Sequence, residues 1–179
     1  MTTEEKLRNT IREIPDFPKP GIRFKDITPL LSDPGLCREI IVELARPFEH
    51  DKMEAVVGVE SRGFLFGMLL SQHFNIPFVP VRKAGKLPYR TVSYRYELEY
   101  GSATIEMHED AIRPGWKILV HDDLLATGGT AAAAAELILK QQAHVAGFSF
   151  LIELGYLSGR KLLERYSPKV LNIAGYYSE

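Results

Sequence analysis

Residues 120–130, Val-His-Asp-Asp-Leu-Leu-Ala-Thr-Gly-Gly-Thr, are the most informative stretch of the sequence. The short apolar run Lys117–His121 predicts a buried strand that ends at two adjacent carboxylates, Asp122 and Asp123. A loop of small residues follows and opens a helix near Thr130. In an open parallel sheet, ligands bind at the carboxyl ends of the strands, so this loop is expected to face a ligand.

The loop is expected to bind an anion. Small residues leave backbone N–H groups uncovered at the helix start, where the helix dipole also favours negative charge. The two aspartates would repel a phosphate, but they accept hydrogen bonds from sugar hydroxyls. This combination predicts a ribose 5-phosphate site, with the phosphate on Ala126, Thr127, Gly128, Gly129 and Thr130. The alternative is an ordinary Gly-Gly turn beside two helix-capping aspartates.

Outward from this stretch, short apolar runs alternate with helical patterns, which predicts parallel strands joined by right-handed crossovers. The predicted strands are Ala55–Val59, Pro77–Val81, Lys117–His121, Val145–Ile152 and Val170–Ile173. The predicted helices cover 36–45, 64–74, 130–140 and 158–165. We therefore expect an α/β fold in which helices flank a mostly parallel central sheet.

Two stretches depart from this alternation. Residues 1–30 hold a Pro/Gly-rich segment that is too irregular for a core element. Residues 82–107 hold a charged loop and then a predicted hairpin made of Tyr94–Tyr100 and Ala103–Met107. Both are expected to decorate one end of the sheet, as an N-terminal hood and a β-hairpin lid of a single domain that spans residues 1–179.

Composition narrows the function classes. The chain has 179 residues, 22 Lys+Arg and 23 Asp+Glu, and its formal net charge of −1 argues against coating nucleic acid or an acidic membrane. Its single cysteine, Cys37, cannot form an internal disulfide. The polar N-terminus does not resemble a signal peptide, and no run reaches the roughly 18 apolar residues of a membrane span. A cytoplasmic protein is expected.

Five ordered blocks resemble the type I phosphoribosyltransferase family, and in detail its adenine-specific members. They are residues 18–26 (PKPGIRFKD), 60–67 (ESRGFLFG), 81–88 (VRKAGKLP), 98–101 (LEYG) and 122–130 (DDLLATGGT). The resemblance extends over nearly the whole chain. One departure is His121, because the family usually has an apolar residue there, and we expect a satisfied core histidine.

The resemblance implies that the substrates are adenine and 5-phosphoribosyl 1-pyrophosphate and the products AMP and pyrophosphate, a reaction of purine salvage. It also implies a homodimer, and the composition argues against a nucleic-acid or membrane partner. Mg²⁺ would be the cofactor and would arrive on the oxygens of the substrate and on waters, with no metal site made by the protein alone. Asp122 and Asp123 would bind the ribose.

For pyrophosphate, the resemblance implies backbone binding by Ser61, Arg62 and Gly63. The spacing from Gly58 to Gly63 matches a Walker loop, but Phe64-Leu65 replaces the required Lys and Ser/Thr, so nucleotide hydrolysis is rejected. The cations of the 82–90 loop are expected to close over the leaving group and exclude water. They are, in order of expected contact, Lys86, Arg82, Lys83 and finally Arg90.

At the purine, the resemblance implies that Glu99 is the acid/base group and that Tyr100 accompanies it. A shielded carboxylate with a raised pKa suits proton exchange near neutrality, whereas the alternative is an exposed hairpin glutamate. Recognition of the base would come from Arg23, Phe24, Lys25 and Leu124.

Three other functions stay open. A phosphoribosyltransferase for hypoxanthine, guanine or xanthine is disfavoured by the blocks at 20–26 and 98–101. A regulator that senses phosphoribosyl pyrophosphate and binds nucleic acid should carry an extra basic helix-turn-helix or a basic face, which this sequence lacks. A non-catalytic binding module is disfavoured by the presence of Glu99 and the lid cations.

Overall fold

The computed structural model of the chain describes residues 1–98 and 101–178. The helices are α1 (Thr3–Thr10), α2 (Pro34–Ala45), α3 (Gly63–Phe74), α4 (Gly129–Lys140) and α5 (Gly159–Leu163). The strands are β1 (Arg12–Pro15), β2 (Arg23–Asp26), β3 (Ala55–Val59), β4 (Phe78–Lys83), β5 (Thr91–Glu97), β6 (Ser102–His108), β7 (Lys117–Leu125), β8 (His144–Leu154) and β9 (Val170–Tyr176). Among the described residues, no helix is long and apolar enough to cross a membrane.

Seven strands form one sheet within the described part of the chain, in the order β5-β6-β4-β3-β7-β8-β9. The five neighbouring strands β4, β3, β7, β8 and β9 pair in parallel. The hairpin of β5 and β6 adds to the β4 edge in antiparallel pairing, and β1 and β2 form a small antiparallel sheet of their own. The predicted α/β fold, with a mostly parallel sheet flanked by helices, is confirmed.

Apolar side chains cover both faces of the sheet. On one face, α4 packs through five buried alanines, Ala131–Ala135, and α5 packs beside it through Leu163. On the other face, α1, α2 and α3 enclose a second cluster that includes Phe66 and Leu70. Because β3 is buried along its whole length, every one of its positions is apolar or glycine, as in a strand covered on both sides.

The two segments that depart from the alternation contribute to the core. Leu7 of α1 and Leu30 are fully buried against α2, and Ile105 and Met107 of β6 are buried in the α4 cluster. Within residues 1–30, the Pro/Gly-rich segment 14–26 itself contains no buried residue, whereas Leu7 and Leu30, which flank it, belong to the core. α1 begins with a capping box between Thr2 and Glu5. This capping is local, so it does not depend on the Pro/Gly-rich stretch that follows.

Strand β7 also ends later in the chain than predicted. The predicted strand stopped at His121, whereas β7 continues through both aspartates to Leu125. Its last residues pair with β8, Leu124 with Ile152 and Leu125 with Glu153. The extension depends on this neighbouring strand, whose length the local sequence of β7 does not reveal.

Candidate active site

The turn before α3 lies directly against the aspartate pair. Strands β3 and β7 are parallel neighbours, with Gly58 opposite His121, so their carboxyl ends emerge side by side. A Cβ on Gly63 would lie 2.9 Å from Asp122 Oδ1 and 3.0 Å from the His121 carbonyl oxygen. Only glycine allows this approach, which brings residues 61–63 and the acid pair into one site.

The two carboxylates of the pair differ in their surroundings. Asp123 is 3% exposed, and its backbone N–H donates to Asp122 Oδ1 at 2.9 Å. Burial raises the pKa of Asp122 well above its usual range, and the charge of Asp123 raises it further. Burial also raises the pKa of Asp123, although the Arg62 guanidinium acts in the opposite direction. The ionised form of the pair is therefore one that a cationic ligand would stabilise.

Arg62 connects three parts of the site. Its Nε lies 3.0 Å from Asp123 Oδ2, and its NH1 donates to the Lys25 carbonyl at 3.3 Å. The guanidinium also lies 4.8 Å from the centre of the Phe24 ring. One side chain thus joins the turn after β3, the acid pair and strand β2.

The predicted adenine-binding residues have different surroundings. Phe24 lies beside Arg62 and packs edge-on against Phe17, with ring centres 5.1 Å apart. Arg23 and Lys25 form ion pairs with Glu13 of β1, at 3.3 Å for Arg23, and Lys25 Nζ also lies 4.3 Å from the Tyr176 ring centre. Leu124, half-buried, packs against the cluster beneath α1, α2 and α3. Phe24 is therefore the member of this set whose side chain contacts Arg62.

The predicted phosphate loop runs from the end of β7 into α4. Gly128, the residue before the helix, has a φ of +83°, which favours glycine. The first helical hydrogen bond runs from Ala132 N–H to the Gly128 carbonyl at 2.9 Å. The N–H groups of residues 129–131 precede this bond and point out of the helix start, as anion-binding groups do.

A cavity of about 120 Å³ adjoins this loop. It is lined by Val59, Glu60, Val81, Arg82, Lys83, Tyr96, Ile105 and Thr130. The Tyr96 hydroxyl lies 3.1 Å from Thr130 Oγ1. Glu60 forms an ion pair with Arg82 at 2.8 Å and accepts a hydrogen bond from Lys83 N–H, and these contacts lower the pKa of Glu60. The cavity links the ends of β3 and β4 to the phosphate loop.

The basic loop after β4 is held by a buried carboxylate. Glu106 Oε1 accepts hydrogen bonds from Gly85 N–H at 3.0 Å and from Leu87 N–H at 3.2 Å. Arg82 NH1 donates to the Lys86 carbonyl at 3.1 Å, and Arg90 pairs instead with Glu109 at 3.5 Å. The two predicted catalytic residues, Glu99 and Tyr100, lie outside the described residues.

Sequence reasoning missed three residues of this region. Glu60 stands first in the ESRG block, which was a usable signal, yet no role was assigned to it. The Tyr96 hydroxyl contacts Thr130 of α4, 34 positions away, and Glu106 accepts a hydrogen bond from Gly85, 21 positions away. No local pattern marks such contacts, because they depend on strand pairing.

His121 lies in the core, as expected, but only one of its ring nitrogens is hydrogen-bonded. Nδ1 lies 3.1 Å from Ser149 Oγ, and Nε2 has no hydrogen-bond partner among the described residues. Complete burial lowers the pKa of His121 to about 3. The imidazole is therefore neutral at physiological pH and acts as packing beside the acid pair.

This histidine is expected to weaken the fold in acid. Below its ordinary pKa of about 6.5 the unfolded chain binds a proton that the folded chain does not, so the free energy of unfolding falls as pH falls. The slope approaches about 1.4 kcal/mol per pH unit and continues down to the folded pKa. Urea unfolding at about pH 7 and about pH 5 measures this decrease in the free energy of unfolding. The decrease should be smaller in the double variant His121→Val/Ser149→Ala than in the wild type. An equal loss in both proteins would contradict the assignment.

Comparison with known proteins agrees with this geometry. Residues 30–173 match the family model of the phosphoribosyl transferase domain. An adenine phosphoribosyltransferase of Cytophaga hutchinsonii is 47% identical over 173 residues, which cover 97% of this chain and 96% of the relative. The crystal structure of the Rhodothermus marinus adenine phosphoribosyltransferase is 50% identical and superposes with a TM-score of 0.92, covering 97% of this chain and 98% of the other.

A more distant structure extends the agreement. The adenine phosphoribosyltransferase of Saccharomyces cerevisiae, crystallised with adenine and an imino-altritol bisphosphate, is 39% identical. Its TM-score is 0.88, over 96% of this chain and 98% of the yeast chain. The domain model matches most of this chain, and the relatives named above are similar along nearly all of it. The chain therefore belongs to the adenine phosphoribosyltransferase family.

Proposed function

We propose that the chain transfers the 5-phosphoribosyl group of 5-phosphoribosyl 1-pyrophosphate to adenine, releasing pyrophosphate and forming AMP. The observation that carries the proposal is the contact of Arg62 with Asp123 beside Gly63. It places a cation, a pair of carboxylates and a close-approach turn at the carboxyl ends of adjacent parallel strands, where this kind of sheet binds ligands.

The proposed reaction breaks the bond between C1′ and the pyrophosphate oxygen and forms a bond from C1′ to a ring nitrogen of adenine. Positive charge develops on the ribose, as in glycoside cleavage, while negative charge develops on the leaving group. Asp122 and Asp123 stabilise the first charge, and Arg62 with the lid cations Arg82, Lys83 and Lys86 stabilises the second. Ser61 and Gly63 contribute backbone N–H groups to the pyrophosphate.

The same proposal assigns the two ends of the nucleotide. The 5-phosphate binds the N–H groups of the loop from Ala126 to Thr130, and Thr127 and Thr130 add hydroxyl donors. Adenine is proposed to lie near Phe24, an aromatic ring of the kind that stacks on a base. Backbone edges of residues 23–25 and the Leu124 side chain complete the base site.

Residues 1–30 and 82–107 are proposed to serve one domain as hood and lid. The hydrogen bond from Arg62 to the Lys25 carbonyl supports the first role, since it ties β2 to the acid pair. The contact of Tyr96 with Thr130 supports the second, since it places the hairpin over the phosphate loop. A cytoplasmic location, expected from the sequence, stays a prediction.

The acid pair fits a magnesium ion carried by the substrate. Mg²⁺ prefers oxygen ligands and is usually bound through one or two carboxylates together with substrate phosphates. Burial and then the neighbouring charge of Asp123 raise the pKa of Asp122, and a nearby divalent cation would stabilise its ionised form. When bound, the ion would supply positive charge to the pyrophosphate oxygens, and Asp122 would be the side chain that holds it.

The decisive experiment measures pyrophosphate release from phosphoribosyl pyrophosphate with adenine, hypoxanthine, guanine or xanthine, with and without excess chelator. Adenine should be the preferred base, and chelation of Mg²⁺ should abolish release. Activity with hypoxanthine or guanine but not adenine would contradict the base assignment. Binding without turnover on any base would favour the sensing regulator or the non-catalytic module.

Glu99→Gln should lower kcat with adenine while leaving the affinity for phosphoribosyl pyrophosphate nearly unchanged. Adenine must lose a ring proton as it bonds to C1′, and general acid–base groups typically contribute about 10²–10⁴-fold. Steady-state rates together with equilibrium binding of the sugar substrate separate the two effects. Glu97→Gln is the control from the same hairpin, and an unchanged kcat for Glu99→Gln would remove the acid/base role.

The chain is proposed to form a homodimer through the outer face of α3. Leu65, Met68 and Leu69 follow helical spacing and are 40%, 46% and 43% exposed, and Val42 of α2 extends this face. Sedimentation should give twice the chain mass, and Leu69→Glu should shift it towards the monomer. Leu139→Glu, on the similarly exposed outer face of α4, should not, and a monomeric wild-type chain would contradict the proposal.

A further inference from the structure

The start of α5 lies in backbone contact with the phosphate loop. A Cβ on Gly159 would lie 2.3 Å from the Ala126 carbonyl oxygen and 2.8 Å from the Gly128 nitrogen. In the other direction, a Cβ on Gly128 would lie 2.8 Å from the Gly159 carbonyl oxygen. These are main-chain atoms that no rotamer change can move, so the position of Gly159 directly limits the conformation of residues 126–128.

The residue that follows Gly159 is held by a buried carboxylate. Glu153 is 3% exposed, and Arg160 forms an ion pair with it through both Nε, at 3.0 Å from Oε1, and NH2. The third nitrogen of Arg160, NH1, donates to the Val170 carbonyl, and Asn172 Nδ2 donates to Glu153 Oε2 at 2.7 Å. The guanidinium therefore connects the start of α5 with both β8 and β9.

Strand register places this ion pair next to the loop. Glu153 is the β8 partner of Leu125, which immediately precedes Ala126. The Glu153 carboxylate thus binds Arg160, while the Glu153 backbone pairs with Leu125, the residue just before the loop. A planar guanidinium satisfies two carboxylate oxygens and a carbonyl at fixed angles, which a single ammonium group cannot reproduce.

We propose that Glu153 and Arg160 are positioning residues for the 5-phosphate, acting through Gly159 on the backbone of residues 126–128. Neither side chain needs to touch the substrate. The ion pair fixes α5, the Gly159 backbone forms a rigid wall, and the loop N–H groups keep the direction that a phosphate requires. The inference rests on the proposed function, because it assumes that this loop binds the 5-phosphate.

The test uses Arg160→Lys and Gly159→Ala in the full chain. Each should raise the KM for phosphoribosyl pyrophosphate and the Kd for ribose 5-phosphate by about tenfold or more, since small displacements of binding groups have large effects. The Kd for inorganic pyrophosphate, which occupies the other end of the site, should change less than about twofold. Lys169→Leu is the matched control, because Lys169 also binds a carboxylate, Asp51, and a carbonyl, at Pro47. It should lower Tm without changing either constant for the sugar phosphates.

The outcomes separate this inference from the proposed function. Wild-type protein that binds neither ribose 5-phosphate nor phosphoribosyl pyrophosphate would overturn both. Wild-type protein that binds them, with Arg160→Lys lowering Tm but leaving both constants unchanged, would overturn the positioning role alone. Equal weakening of ribose 5-phosphate and pyrophosphate would also overturn it, because it would indicate general loosening. If Gly159→Ala does not fold, Arg160→Lys decides.

Discussion

Asp123→Asn is expected to lower turnover about 10²–10³-fold, the usual effect of removing one preorganised electrostatic group from an active site. Asp123 is 3% exposed, and Arg62 Nε lies 3.0 Å from its Oδ2. In the proposed reaction this carboxylate faces the positive charge that develops on the ribose. Asparagine keeps the shape of the side chain but removes the charge, so kcat should fall more than the affinity for the sugar substrate.

Asp122→Asn should reduce turnover less, while raising stability. Burial and the neighbouring charge raise the pKa of Asp122, so its ionised form is disfavoured in the folded chain. Because the unfolded chain pays no such cost, replacing this aspartate with a neutral residue should increase the free energy of unfolding near neutral pH. Asp110→Asn, at an exposed position, is the control. Wild-type turnover in both variants of the pair would contradict the ribose assignment.

Arg62→Met is expected to lower kcat/KM about 10³-fold, because it removes an electrostatic contact to the leaving group and also disturbs the acid pair. Asp123 would remain buried without its cation, and β2 would lose both the hydrogen bond at Lys25 and the guanidinium on Phe24. Affinity should therefore fall for adenine as well as for phosphoribosyl pyrophosphate.

The controls for this prediction use other basic residues. Arg62→Lys keeps the charge but loses the planar group that reaches Asp123, Lys25 and Phe24 together, so its loss should be intermediate. Arg46→Met removes an exposed ion pair with Glu43 and should have little effect on rate or stability. If kinetics with each substrate varied in turn showed Arg62→Met to affect only the adenine KM, the pyrophosphate role of Arg62 would be rejected.

Most of the sheet could be predicted from its apolar runs, since strands covered on both sides need apolar residues at nearly every position. The element ends could not be predicted as well, and β7 shows why. Its last four residues, Asp122–Leu125, extend a strand only because β8 continues beside them. α1 was also missed, although Thr2 and Glu5 form a recognisable capping box and Leu7 supplies the buried contact.

The predicted site residues show the same division. The loop from Ala126 to Thr130 has a local signature, because a glycine-rich turn between a strand and a helix exposes backbone N–H groups wherever it occurs. No local signature in the sequence identifies the partners of the charged residues around this loop. Arg23 and Lys25 pair with Glu13, while Arg62 reaches Asp123, 61 positions along the chain.

From the sequence by itself, the α/β alternation, the two adjacent aspartates, the glycine-rich loop between β7 and α4 and the basic stretch after β4 could all be determined, because each depends on residues that are close together in the chain. Only the tertiary structure decided that Arg62 binds Asp123, that Glu106 holds the basic loop and that Gly159 lies against the backbone of residues 126–128. These contacts join distant segments, and their geometry follows from strand order and register.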